Sequence, residues 1–178
     1  MTEDEIASIL RERARLVARP AVAASQAEDV GFIEFELGEQ RYAIEAAQAE
    51  EVIELADSTP VPGLPEFYVG ILNWRGAVYP LVDIRRLLGF RVGRDEPFRF
   101  AILLAGSGRM VAVGVHAIVG LSRWQPDGIA PAAGQADESP AIAGLLANGT
   151  LLLDAGRIIH DARLLVDDQP RVAVTRGE

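Results

Sequence analysis

The sequence predicts a mainly β protein: two small pseudo-repeated barrels of about five short strands each, sharing one core, with short helices and an N-terminal amphipathic helix. The first observation behind this is a hydrophobic period of two that begins at Phe32 and is broken by Gly, Asn and Pro at short intervals. The second is an internal repeat. L-V-D-I-R-R-L-L at 81–88 matches L-L-D-A-G-R-I-I at 152–159, Gly70-Ile71-Leu72 matches Gly144-Leu145-Leu146, and 32–44 matches 100–113, all offset by about 70 residues. The third is size: each half is too small to bury much core alone, so the halves must pack on a common apolar seam. The chain therefore divides into an N-terminal helix and linker (1–30), a repeat-bearing region (31–166, halves about 31–90 and 98–166) and a flexible tail (167–178).

In chain order, Thr2 to Val17 reads as a helix. Thr2 and Glu5 fit a capping box, acids precede arginines as the helix dipole favours, and Ile6, Ile9, Leu10, Leu16 and Val17 form a broken stripe. That stripe suits docking on the chain's own domain or on a partner. Arg19-Pro20 ends the helix, and the small polar run Ala21 to Asp29 reads as a linker that can be removed with it. Phe32 to Leu37 and Tyr42 to Ile44 are strands about a G-E-Q-R turn, Ala46 to Ala49 is one helical turn, and Glu51 to Leu55 is a strand.

P-V-P-G-L-P then leads into G-I-L-N-W-R-G-A-V-Y-P-L-V-D-I-R at Gly70 to Arg85, the most informative block of the chain. Val69 to Leu72 and Ala77 to Val82 are apolar runs about a connection at Asn73 to Gly76, which places Arg75 at the lip of a hairpin. Pro80 lacks a backbone donor and suits an edge or bulge. Asp83 caps a helix from about Ile84 to Leu88, and Gly89 supplies the left-handed residue after it. In the second half, Phe100 to Leu104, Met110 to Val115 and Ile118 to Trp124 read as strands and Pro126 to Ser139 as a loop. Ala141 to Leu146 and Thr150 to Leu153 form a hairpin about Asn148-Gly149, and Asp154 caps a helix running to about Leu165. Both aspartates are read as caps rather than catalytic acids, so Asn should replace either.

Charge and composition narrow the function. A formal net charge of −9 opposes non-specific binding to nucleic acid or to an anionic membrane surface. No apolar run approaches the roughly 20 residues of a spanning helix. The chain has no cysteine, which rules out disulfides and thiolate zinc sites and suits the cytoplasm. No catalytic constellation emerges either. His116 and His160 lack metal-ligand spacing, Gly106-Ser107-Gly108 reads as a hairpin tip rather than a nucleophile elbow, and the neighbours Glu50 and Glu51 point to opposite faces of a strand. Neither phosphate-binding glycine motif is present. No cofactor is expected. What remains is a binding surface, and Trp74-Arg75 is the pair with interface character. Read from the residues alone, Arg75 pairs with a nearby acid and Trp74 fills the core.

The pattern G-x-x-N-x-R-G-x-x-x-P-x-x-D-[LI]-R, carried here by Gly70, Asn73, Arg75, Gly76, Pro80, Asp83, Ile84 and Arg85, resembles the signature of the CheW-like domain, the coupling module of bacterial chemosensory systems. The resemblance runs from about Phe32 to Leu165. It implies a pair of five-stranded SH3-like barrels with a groove between them and a non-enzymatic adaptor in the cytoplasm, recruited to membrane-associated receptor arrays. The implied partners are the regulatory domain of a CheA-type histidine kinase, the cytoplasmic tip of methyl-accepting chemoreceptors and other CheW-like domains. The implied partner-binding residues are Ala49, Glu51 and Val52, on the family's V-x-E-[IV] segment, together with Asn73, Trp74 and Arg75. This sequence departs from the family's pattern at Ala49, where a larger aliphatic is usual, at Ala112 and at His116. An adaptor in a pilus or other surface-motility pathway, or a small enzyme using the inter-barrel groove, are the rival readings.

Overall fold

A computed structural model describes residues 29–93, 96–132 and 139–164. The helix predicted over Thr2 to Val17, nearly all of the linker and the tail lie outside the described residues. The strands are β1 (Val30–Leu37), β2 (Gln40–Glu45), β3 (Ala49–Glu54), β4 (Tyr68–Trp74), β5 (Ala77–Val82), β6 (Phe100–Gly106), β7 (Arg109–Val115), β8 (Ala117–Trp124), β9 (Ile129–Ala130), β10 (Ile142–Leu146) and β11 (Leu151–Leu153). Two short helices, α1 (Ile84–Leu87) and α2 (Ala155–Ile159), follow β5 and β11. The protein is mainly β, as expected.

The sheets do not follow the contiguous halves of the sequence. One sheet has the order β8-β1-β2-β11-β10-β9 and the other β3-β6-β7-β5-β4. Each opening hairpin, β1–β2 or β6–β7, therefore leaves its own half and joins the closing strands of the other. The joints are the two parallel pairings, β2 with β11 and β5 with β7; all other neighbours are antiparallel. Matching β1 to β6 and so on through the repeat gives both sheets the same strand order, with Thr59, bridged to Ile71, standing where the short strand β9 stands in the larger sheet. The exchange explains why one core serves both halves: Phe35, Ile44, Val82, Ile102, Val113 and Ile158 are fully buried in a single cluster.

Local chemistry sets the turns. Arg75 and Gly76 have φ of 50° and 81°, and Ser107 and Gly108 have 50° and 76°. Both hairpins thus close on two left-handed residues, the geometry that matches strand twist. Asn73 and Trp74 lie in β4 and not in the turn, because the two-residue turn needs only Arg75 and Gly76. Asn148-Gly149 closes its hairpin differently: Gly149 N–H donates to Leu146 O, Leu146 N–H donates to Thr150 O, and only Gly149 has positive φ, so a longer loop with a bulge replaces a two-residue turn. Pro80 lies in an interior strand, contrary to the edge expected; β7 pairs with β5 only from Leu81 onward, so the missing donor falls just before that ladder. Ala49 opens β3 rather than ending the preceding helical turn, which covers Ala46–Gln48. The second helix stops at Ile159 and only a 3-10 turn at Ala162–Leu164 continues it. Pro126 to Ser139 contains β9, a strand too short to show a period.

The two repeat glycines sit at equivalent bulges for a steric reason. A Cβ on Gly70 would lie 2.4 Å from Thr59 O, and one on Gly144 would lie 2.9 Å from Ala130 O. Backbone carbonyls cannot retreat as a flexible side chain would. Gly70→Ala and Gly144→Ala should each cost about 1–3 kcal/mol in chemical denaturation, while Gly93→Ala, which meets nothing within 4 Å, should be neutral within about 0.5 kcal/mol.

Asp83 and Asp154 both cap helices, accepting from Arg85 N–H and Arg157 N–H at 3.0 Å. Their surroundings differ. Asp83 is buried and forms a bidentate pair with the buried Arg85 guanidinium, Nε to Oδ1 at 3.0 Å and Nη2 to Oδ2 at 2.8 Å. Asp154 is a third exposed and its ion-pair partner Arg157 is mostly exposed. The expectation that Asn serves equally at both is therefore corrected: Asp83→Asn removes the charge that neutralises a buried guanidinium. It should cost about 3 kcal/mol or more, against less than about 1 kcal/mol for Asp154→Asn; equal losses in a urea series would contradict this account.

Candidate functional site

The two segments that resemble the family's partner-binding residues meet across the closure of the smaller sheet. β3 and β4 are at its opposite edges, yet Trp74 Nε1 donates to Glu51 Oε2 at 3.0 Å and Arg75 Nη2 lies 2.9 Å from Glu51 Oε1. The sheet is thus rolled until its edges face one another. Arg75 also stacks over Trp74, with its guanidinium carbon 5.5 Å from the ring centre. One carboxylate therefore holds both an indole and a guanidinium, and the cation covers the ring's π face.

The six expected site residues divide by burial. Ala49 and Val52 are in the core, 1% and 2% exposed, where they anchor β3 and thereby position Glu51. Glu51 is largely shielded, its side chain 15% exposed, while that of Arg75 is 73% exposed. Trp74 is half-buried against Leu72, Leu81 and their neighbours, and Asn73 is exposed. The accessible face is therefore Asn73, the outer edge of Trp74 and Arg75. Val78, opposite Asn73 in the register and 59% exposed, adds an apolar contact that sequence reasoning missed. Its signal was present in its position in β5, two residues beyond the turn and on the outward side. Both readings of the pair hold at once: Arg75 has its acid and Trp74 packs inward, and the cluster still presents an Arg–Trp surface of the kind that anchors protein interfaces.

Other sequence candidates have structural roles. His116 Nδ1 accepts from Gly38 N–H at 2.8 Å and fixes the β1–β2 turn; His160 Nδ1 lies 2.7 Å from Gly156 O at the end of α2. Gly106 to Gly108 is a hairpin tip. Among the described residues no three His, Asp or Glu side chains are grouped to hold a metal, and no helix is long and apolar enough to cross a membrane.

A rolled β-sheet unit presenting a braced Arg–Trp cluster belongs to the class of protein-interaction modules. The chain belongs to the CheW-like domain family, whose model matches residues 31–163. Proteins of this family are scaffolds and adaptors in bacterial chemotaxis, not enzymes. It is similar to the chemotaxis protein CheW of Thermotoga maritima, 37% identical over 73 residues that cover 41% of this chain and 47% of that protein. It is also similar to FrzA of Myxococcus xanthus, 31% identical over 104 residues covering 58% and 64% respectively. The chain spans about half the length of the CheW relatives it matches. In fold it resembles the scaffolding protein TtCheW from Thermoanaerobacter tengcongensis, with a TM-score of 0.65 at 19% identity over 76% of this chain and 96% of that one.

The geometry separates the contributions of Arg75 and Glu51 to stability. Arg75→Ala loses an exposed ion pair and should cost no more than about 1 kcal/mol. Glu51→Ala leaves a half-buried indole N–H without its acceptor and should cost about 1–3 kcal/mol. Thermal or urea unfolding of the two variants checks the order.

Proposed function

We propose that this chain is a non-enzymatic adaptor that couples chemoreceptors to a CheA-type histidine kinase. The observation that supports it best is the Glu51–Trp74–Arg75 cluster, in which Glu51 of β3 braces Trp74 and Arg75 of the signature hairpin without burying them. In this reading Asn73, Trp74 and Arg75 form a partner-facing rim. A homologous β domain of the kinase docks on one rolled sheet, the receptor's helical tip lies along the groove between the sheets, and kinase output follows from altered packing. The adaptor works in the cytoplasm and reaches the membrane through its receptor. Other copies of CheW-like domains fit the same surface chemistry.

Co-purification with a kinase regulatory domain and a receptor tip fragment from the same genome tests the proposal. Wild type should capture both, and Arg75→Ala should weaken at least one by roughly five- to thirtyfold, the 1–2 kcal/mol of an interface arginine, with an unchanged melting curve. Undiminished capture of both partners by a folded Arg75→Ala variant, or no capture by wild type, would overturn it.

A further inference from the structure

A second feature, remote in character from the arginine rim, lies where the β1–β2 turn faces the segment after α1. A cleft of about 840 Å³ opens there, with apolar walls from Leu37, Phe90 and Leu151 and a polar floor from Tyr42 and Arg85. Its volume falls within the range of small-molecule pockets. Tyr42 is 2% exposed, and its hydroxyl, bonded to no described residue, is not sealed from the cleft, since among the described residues only Thr150 Oγ1 is a fully buried side-chain polar atom without a partner. Arg85 uses Nε and Nη2 on Asp83, which leaves Nη1 unbonded among the described residues, 3.5 Å from the point a Cβ on Gly38 would occupy. Two donors thus open onto one cleft, neither bonded to a described acceptor, and Arg91 adds an exposed cation at the rim.

We propose that this cleft binds a small organic molecule bearing a carboxylate or amide carbonyl oxygen on an apolar body, with that oxygen accepting from the Tyr42 hydroxyl and Arg85 Nη1. Burial pushes the Tyr42 phenol up to about 12 and the Arg85 charge draws it back. The hydroxyl therefore keeps its proton at neutral pH and is near enough to feel the guanidinium. Because Asp83 already neutralises Arg85, the floor offers hydrogen bonds more than net charge, which admits a neutral amide beside a carboxylate. Glu39 and Glu96 also line the cleft, but both are exposed and water-screened, so they act on the floor weakly. The proposal is independent of the adaptor reading.

The test is protein-observed NMR titration of the full chain with benzoate, benzamide and benzylammonium, following the amides of Gly38 to Gln40 and Phe90 to Val92. Benzoate and benzamide should give saturable shifts confined to that region, and benzylammonium, which has a similar ring and no acceptor, should not. Tyr42→Phe keeps the core volume and removes a hydroxyl that bonds to no described residue, so its melting point should be unchanged while its affinity for both acceptor probes falls about tenfold. Binding of benzylammonium as tight as that of benzoate would assign the cleft to its rim carboxylates and overturn the proposal. Equal affinity in Tyr42→Phe and wild type, or absence of saturable shifts with both acceptor probes, would overturn it as well.

Discussion

The two parallel pairings, β2 with β11 and β5 with β7, are the constraint on which the rest of the structure depends. Without them each repeat would be a short run of strands and one helical turn, too small to exclude water from its own apolar face. By lending its opening hairpin to the other half, each repeat completes a sheet it does not otherwise contribute to, and the two sheets then share one large cluster, with a smaller one on each sheet besides. The cost is long-range closure: strands distant in sequence must meet before most of the core is dry.

The same arrangement positions the candidate site. Once β6 and β7 occupy the middle of the smaller sheet, β3 and β4 are left at its edges, and rolling the sheet brings Glu51 to Trp74 and Arg75. Burial and exposure are thereby divided among neighbouring residues. Ala49 and Val52 are buried and hold the strand, Glu51 bridges, and Asn73 and Arg75 face solvent. A left-handed Arg75 followed by Gly76 keeps the turn tight enough that the guanidinium lies back over the indole instead of extending freely. Elsewhere the signature residues are structural: Asp83 and Arg85 form a buried pair beside α1, and Gly70 lets the Thr59 carbonyl approach.

Much of this was legible in the sequence because it is local. The strand period, the caps at Asp83 and Asp154 and the helical turn before β3 all follow from residues a few positions apart. The internal repeat revealed a shared core. What it could not reveal was the exchange of hairpins, since a repeat specifies which strands are equivalent and not which copy they pair with. Pro80 was misplaced for that reason, as a parallel neighbour that begins one residue later leaves no mark on the local pattern. Asp83 read as a simple cap because its second partner, Arg85, is buried only through tertiary packing; the equivalent Asp154 shows the same local motif without that burial. At the site, Trp74 and Arg75 could be chosen by residue type, whereas the role of Glu51 as their common acceptor needed the rolled sheet.

On the proposed reading, Asn73, Trp74 and Arg75 form a docking rim braced by Glu51. The rim is tested most directly by mapping the contact on the intact protein, with the isotope-labelled chain titrated with an unlabelled kinase regulatory domain or receptor tip fragment. Shift changes and protection from solvent should concentrate at Asn73 to Gly76, the Trp74 indole N–H and the Val78 methyls, with the rest of both sheets little changed. Saturable binding that leaves those signals untouched and perturbs a separate face would contradict it.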